Sequence, residues 1–153
     1  MIKARRSIIK DCYSIAPRMR KADIIEITAA GCPNPLEALL DGYSHSKECY
    51  TVIDKDNIPH AIFGCCPIEN DPTIASIWLL GTDDIFTHRI RFLRESKKYL
   101  NIISKPFDLT FNYVHVDNTL HVRWLKWLDF SIIREIEGYG INNENFYEFA
   151  RLK

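Results

Sequence analysis

The sequence predicts a single mixed α/β domain in the order β-α-α-β-β-β-α-β-α-β-β, spanning residues 1–153. Three observations carry that expectation. The stretch from Phe107 to Glu137 has the pattern strand, short capped connection, helix, strand, with Asp117 or Asn118 as the cap. Two apolar runs flank the polar turn Asp54-Lys-Asp-Asn57, which is the signature of a hairpin. A third apolar strand, Thr73 to Leu80, leads through a long helical segment back to Phe107. Two strand-helix-strand crossovers thus follow one another, which favours parallel neighbours for the strands ending near Leu80 and Val116. At 153 residues, 46% hydrophobic and 26% charged, the chain is long enough for one domain with its own core.

Taken in order, Met1 to Arg5 is a short first strand and Ile8 to Tyr13 a turn of helix. Arg18 to Ala30 follows the Ala16-Pro17 break as a helix, with Met19, Ala22, Ile25 and Ala29 on one face and Gly31 ending it. Asn34 caps a second helix, Leu36 to Tyr43, with Pro35 in its first turn. Cys49 to Asp54 and Ile58 to Ile68 are the hairpin strands. Thr82 and the two aspartates after it cap a helix from Ile85 to Ile102, with Ile85, Ile90, Leu93 and Leu100 inward. Phe107 to Val116 is a strand. Asn118 to Leu128 is a helix burying Leu120, Trp124, Leu125 and Leu128. Phe130 to Glu137 is a strand, Gly138 to Asn143 a loop, and Phe146 to Leu152 the closing strand.

Composition excludes several classes of function. Basic and acidic residues both number 20, so the chain lacks the surplus of a nucleic-acid binder. The crowded Arg89, Arg91, Arg94, Lys97 and Lys98 read as the solvated face of a helix. The five cysteines (Cys12, Cys32, Cys49, Cys65, Cys66) form no C-x-x-C pair, and no apolar signal segment opens the chain. Reduced thiols and a cytoplasmic location are therefore expected. No apolar run reaches the roughly 20 residues of a membrane span. The five histidines (45, 60, 88, 115, 121) show no ligand spacing, so no metal is expected. Trp78 and Trp124 read as core, and core packing is expected for Trp127 as well.

Asn118 to Phe130 resembles the last motif of the GCN5-related N-acetyltransferases. There an Asn caps the helix, a Tyr sits at the helix's eighth position, and Gly-Phe opens the next strand. Asn118 and Phe130 match that pattern, while Leu125 and Asp129 stand where Tyr and Gly are usual. Ile15 to Asp23, Glu26 to Gly31 and the Asn-Thr-x-His-x-Arg pattern at 118–123 are similar to the acetyltransferase-like internal virion (core) proteins of short-tailed bacteriophages. The resemblance implies a mixed sheet whose fourth and fifth strands splay apart to admit acetyl-CoA. It implies coenzyme contacts at Leu79, Leu80, Gly81, Thr82, Thr87 and Asn118, and an amine acceptor. It also implies an infected host's cytoplasm, or the virion, as location.

Two functional readings stay open. In the first, the protein is an N-acetyltransferase that needs a base for the amine and an acid for the leaving thiolate. Leu125 cannot donate a proton, so His115, at the end of a strand lining the splay, and His121, facing the cleft, are the candidates. In the second, the scaffold is kept for binding a phage or host protein without catalysis. Only Gly81 of the family's small-residue pyrophosphate loop is present, and Asp83 and Asp84 place negative charge there.

Overall fold

In the computed structural model, residues 2–86 and 89–153 are described, the side chains of Phe86, Arg89, Ile90 and Leu93 excepted. Met1, Thr87 and His88, with the inward faces expected of Ile90 and Leu93, therefore lie outside the described residues. The centre is a seven-stranded sheet in the order β1-β2-β3-β4-β5-β7-β6. Its strands are β1 (Lys3–Arg6), β2 (Cys49–Ile53), β3 (Pro59–Ile68), β4 (Asp71–Gly81), β5 (Leu109–His115), β6 (Ser131–Tyr139) and β7 (Glu144–Leu152). Every neighbouring pair is antiparallel except β4 and β5, which are parallel, as the helical crossover between them requires; the second crossover instead leaves β7 between β5 and β6.

Strand alternation sends successive side chains to opposite faces, and each face carries its own helices. On one face, α1 (Ile9–Ile15), α2 (Lys21–Ala29) and α3 (Pro35–His45) pack over Ile62, Leu80 and Trp78. On the other, α4 (Arg89–Ser104) covers Ala61, Phe63, Cys65 and Ala75, and α5 (Thr119–Trp127) packs its Leu125 against Val114, Phe130 and Phe149. Asn34 caps α3 as expected, its Oδ1 accepting the Glu37 N–H at 3.0 Å.

Several elements differ from expectation, each for a physical reason. The turn expected at Ile8 to Tyr13 is a full helix, α1. It is pinned by Asp11, whose carboxylate accepts from Ile8 N–H, Thr51 Oγ1 and, through both oxygens, Arg5. α4 begins at Arg89 rather than Ile85, because Asp83–Phe86 forms a separate 3₁₀ turn anchored by the fully buried Ile85. Thr82 and the aspartates therefore stand in or just before this turn rather than directly before the start of α4. Thr82 instead bridges Met19, and its N–H donates to the His60 carbonyl.

The inward faces of two helices also shift. On α2, Ile25 is exposed, and Asp23 and Ile27 are buried in its place. On α5, Leu120 is 47% exposed and His121 turns inward, one helical turn before Leu125. Trp127 is exposed, with Lys97 Nζ 4.3 Å from its ring centre, so it does not join the core. Asp129, where the resembling motif has Gly, adopts φ of 69°, the left-handed conformation that follows many helices.

Candidate active site

β4 and β5 pair over only three positions, Ile74↔Leu109, Ala75↔Thr110 and Ser76↔Phe111. Beyond them β4 continues to Gly81 and β5 to His115 without pairing, so the sheet is split. Asn112 stops the zipper. Its Nδ2 donates to the Ile77 carbonyl at 2.6 Å, and its Oδ1 accepts the Tyr113 N–H at 2.9 Å. Backbone groups alternate in direction along a strand, so Ile77, Leu79 and Gly81 turn their N–H and C=O toward the gap. Ile77 is met by Asn112. Gly81 donates to Asp23 Oδ2 at 2.9 Å and accepts from Arg20 N–H at 2.8 Å. Leu79 is left facing the opening.

α2 lies across the mouth of the split, and its register places two carboxylates on one face at a spacing of three. Asp23 holds the end of β4 through Gly81. Glu26 holds the end of β5, its Oε1 accepting from His115 N–H at 3.2 Å and from Asn118 Nδ2 at 2.9 Å. Asn118 is not the side-chain cap of α5 that the sequence suggests, since no helix N–H donates to its side chain. It occupies the N-cap position and its carbonyl accepts from Val122 N–H, but its side chain makes no cap bond and its Nδ2 donates to the Glu26 carboxylate instead.

Burial dominates the electrostatics of this cluster. It pushes the Asp23 carboxyl up to about 7, against the pull of the Arg20 guanidinium and the Gly81 N–H. It raises Glu26 as well, against the hydrogen bonds from Asn118 and His115. Burial and the Arg20 charge press His121 down to about 3, so its imidazole is neutral. Asp23, Glu26 and His121 offer ligand atoms within 4.8 Å of one another. Ligand spacing along the chain does not reveal this trio, because the fold assembles it from α2 and α5. Arg20, 3.4 Å from Asp23 Oδ1 and itself buried, already supplies the cluster's positive charge, and a metal ion would sit beside it.

A cavity of about 400 Å³ occupies the split and is lined by residues from both faces of the sheet. Phe92, Ser96 and Trp124 line it on the side of α4 and α5, and Ile27, Ala38 and Gly42 on the side of α2 and α3. Leu79, Leu80, Glu26 and His121 lie along its length. Of the residues singled out in the sequence, Leu79, Leu80 and His121 thus reach the cavity directly, with Asn118 behind Glu26. The Gly81 and Thr82 amides are engaged by Asp23 and the His60 carbonyl, so neither is open to a ligand. Thr87 lies outside the described residues. The His115 ring has both nitrogens occupied: Nδ1 accepts the Asp117 N–H at 3.1 Å, which leaves the proton on Nε2, facing Glu144 Oε1 at 3.1 Å. His121 sits 5.3 Å from the Trp124 ring, so it both packs and lines the cavity. Sequence reasoning missed Arg20, Asp23, Glu26 and Asn112. The available signal was Asp23-x-x-Glu26 on a helix whose apolar face is otherwise weak.

No protein-family model and no curated protein sequence matches the chain. Solved structures do match its fold. A GCN5-related N-acetyltransferase from Kribbella flavida superposes with a TM-score of 0.76 at 15% identity, covering 99% of this chain and 98% of that one. Ard1 from Thermoplasma volcanium gives 0.73 at 17% identity, with 99% and 97% covered. Spermidine N-acetyltransferase from Vibrio cholerae, in complex with CoA and spermine, gives 0.63 at 16% identity, with 99% and 95% covered. The chain has the GCN5-related N-acetyltransferase fold.

Proposed function

We propose that this protein transfers an acetyl group from acetyl-CoA to an amine, with the two substrates meeting inside the split sheet. The single observation that carries the reading is the cavity between β4 and β5, lined by residues from both faces of the sheet. Leu79 is the strand position whose backbone donor and acceptor face that gap while the positions before and after it are met by Asn112, Asp23 and Arg20. An extended pantetheine arm carries amides that pair with such an edge. The coenzyme enters beside α4 and α5, against Leu79 and Leu80, and the acceptor enters beside α2 and α3, where Glu26 supplies a carboxylate for its nitrogen. The V. cholerae spermidine N-acetyltransferase of the same fold, solved with CoA and spermine, supports both substrate classes.

The test is release of free CoA thiol from acetyl-CoA in the presence of a panel of primary amines. The reading expects release that depends on the amine; none with any amine contradicts it. A second reading is a scaffold kept for binding a phage protein in the virion or a host protein in the infected cytoplasm, with two features compatible with it. Leu125, in the position usual for the acidic Tyr, is buried in an apolar cluster, and Asp83 and Asp84 are exposed at the turn where a pyrophosphate would approach. That reading expects neither binding of acetyl-CoA nor thiol release.

A further inference from the structure

We infer that Glu26, rather than either histidine, is the catalytic base, taking the acceptor's proton through Oε2. The inference rests on the acetyl-transfer reading and adds which side chain handles the proton. Glu26 lines the cavity, and both of its hydrogen bonds fall on Oε1, from His115 N–H at 3.2 Å and Asn118 Nδ2 at 2.9 Å. Oε2 has no hydrogen-bond partner, and no buried side-chain oxygen among the described residues lacks one, so Oε2 opens onto the cavity. The carboxylate is thus held by one oxygen and presented by the other, the geometry a base needs.

The neighbouring groups are each accounted for otherwise. Asp23, on the same helix, is spent on Arg20 and the Gly81 N–H. The His115 ring is fixed between the Asp117 N–H and Glu144. His121, from α5, faces Asn118 Nδ2 with its Nδ1 at 3.5 Å, and burial beside Arg20 denies it a proton. Asp83, from the 3₁₀ turn, acts on Asp23 at a distance and makes no contact with Glu26. Burial raises the Glu26 carboxyl's affinity for a proton, against the hydrogen bonds from Asn118 and His115 and the nearby Arg20 charge.

The step balances. An ammonium acceptor gives its first proton to Glu26 Oε2, which releases it to solvent through the cavity. The nitrogen lone pair then attacks the thioester carbon, the C–N bond forms, and the C–S bond breaks with its electron pair on sulfur. The second nitrogen proton ends on that sulfur, giving the N-acetyl product and the free thiol.

Glu26→Gln keeps an acceptor oxygen for His115 and Asn118 and removes only the base. In wild type, kcat/KM for n-butylamine should fall on the acid side of its pH profile. Glu26→Gln should lower kcat/KM by a hundredfold or more, on the order of a lost general base, and abolish that limb. Glu26→Asp should recover part of the loss. Independently of turnover, calorimetry on the CoA-bound protein should show n-butylammonium binding weakened at least tenfold in Glu26→Gln, with CoA affinity unchanged within twofold. Activity of Glu26→Gln within threefold of wild type, or loss of the limb in His115→Gln but not in Glu26→Gln, overturns the assignment and leaves acetyl transfer intact. A wild-type protein that transfers to no amine overturns both.

Discussion

Asn118 Nδ2 donates to Glu26 Oε1 at 2.9 Å, tying the start of α5 to the middle of α2 across the end of β5. The bond makes stability at position 118 depend on position 26. Asn118→Ala should cost about 1–3 kcal/mol, the cost of depriving a buried charged acceptor of a partner. In a double-mutant cycle with Glu26→Ala, which removes the acceptor, the two changes should couple by about 1 kcal/mol in urea unfolding. A simple helix cap would show no coupling to Glu26.

Buried groups of the cluster make opposed contributions to the pH dependence of stability. Asp23 is raised from 3.8 to about 7, so the native state holds a proton the unfolded chain has released, and stability is lost as pH rises through that window. His121 is lowered from 6.5 to about 3, so its contribution is present above 6.5 and lost as pH falls toward 3. Between about pH 4 and 6.5 the two slopes, each up to about 1.4 kcal/mol per pH unit, oppose one another. The raised Glu26 carboxyl adds to the Asp23 side, so wild type should lose stability only gently as pH rises there. Asp23→Asn should become more stable with rising pH and His121→Asn less stable, whatever the absolute cost of each change. Denaturant midpoints at pH 4, 5 and 6 check the signs.

Gly42 gives a prediction about the cavity wall. A Cβ at this position would lie 2.7–2.9 Å from Trp78 ring atoms, and the Trp78 Nε1–H donates to Ser46 Oγ at 2.8 Å. Gly42→Ala should therefore displace the indole and destabilise by about 1–3 kcal/mol, as overpacking does. A change in tryptophan fluorescence should accompany the loss.

Asp129 lies in the left-handed region at φ 69°. Asp129→Gly relieves that strain and should stabilise the protein by up to about 1 kcal/mol. Thermal unfolding checks the direction.

The fold was legible where local and global patterns agree. Asn34-Pro35 opens α3, the Asp54 to Asn57 turn joins β2 to β3, and the crossover through α4 makes β4 and β5 parallel. The site was less legible because hydrophobic periodicity assumes that inward positions are apolar. On α2 the inward positions include Asp23 and Glu26, whose partners are the backbone of β4 and β5, 58 and 89 residues away. On α5 the same assumption chose Leu120 over His121. The pairing of Asn118 with Glu26 was hidden for a similar reason, since a cap is a local bond and this one spans 92 residues.

The central claim is that the split between β4 and β5 receives an acetyl-CoA arm against Leu79. Amide resonances followed by NMR during titration with acetyl-CoA test it most directly. The Leu79 amide should shift and gain protection from solvent exchange on saturation, while the Gly81 amide, already held by Asp23 at 2.9 Å, changes far less. Saturable binding with no response at Leu79, or no binding at all, would contradict the account.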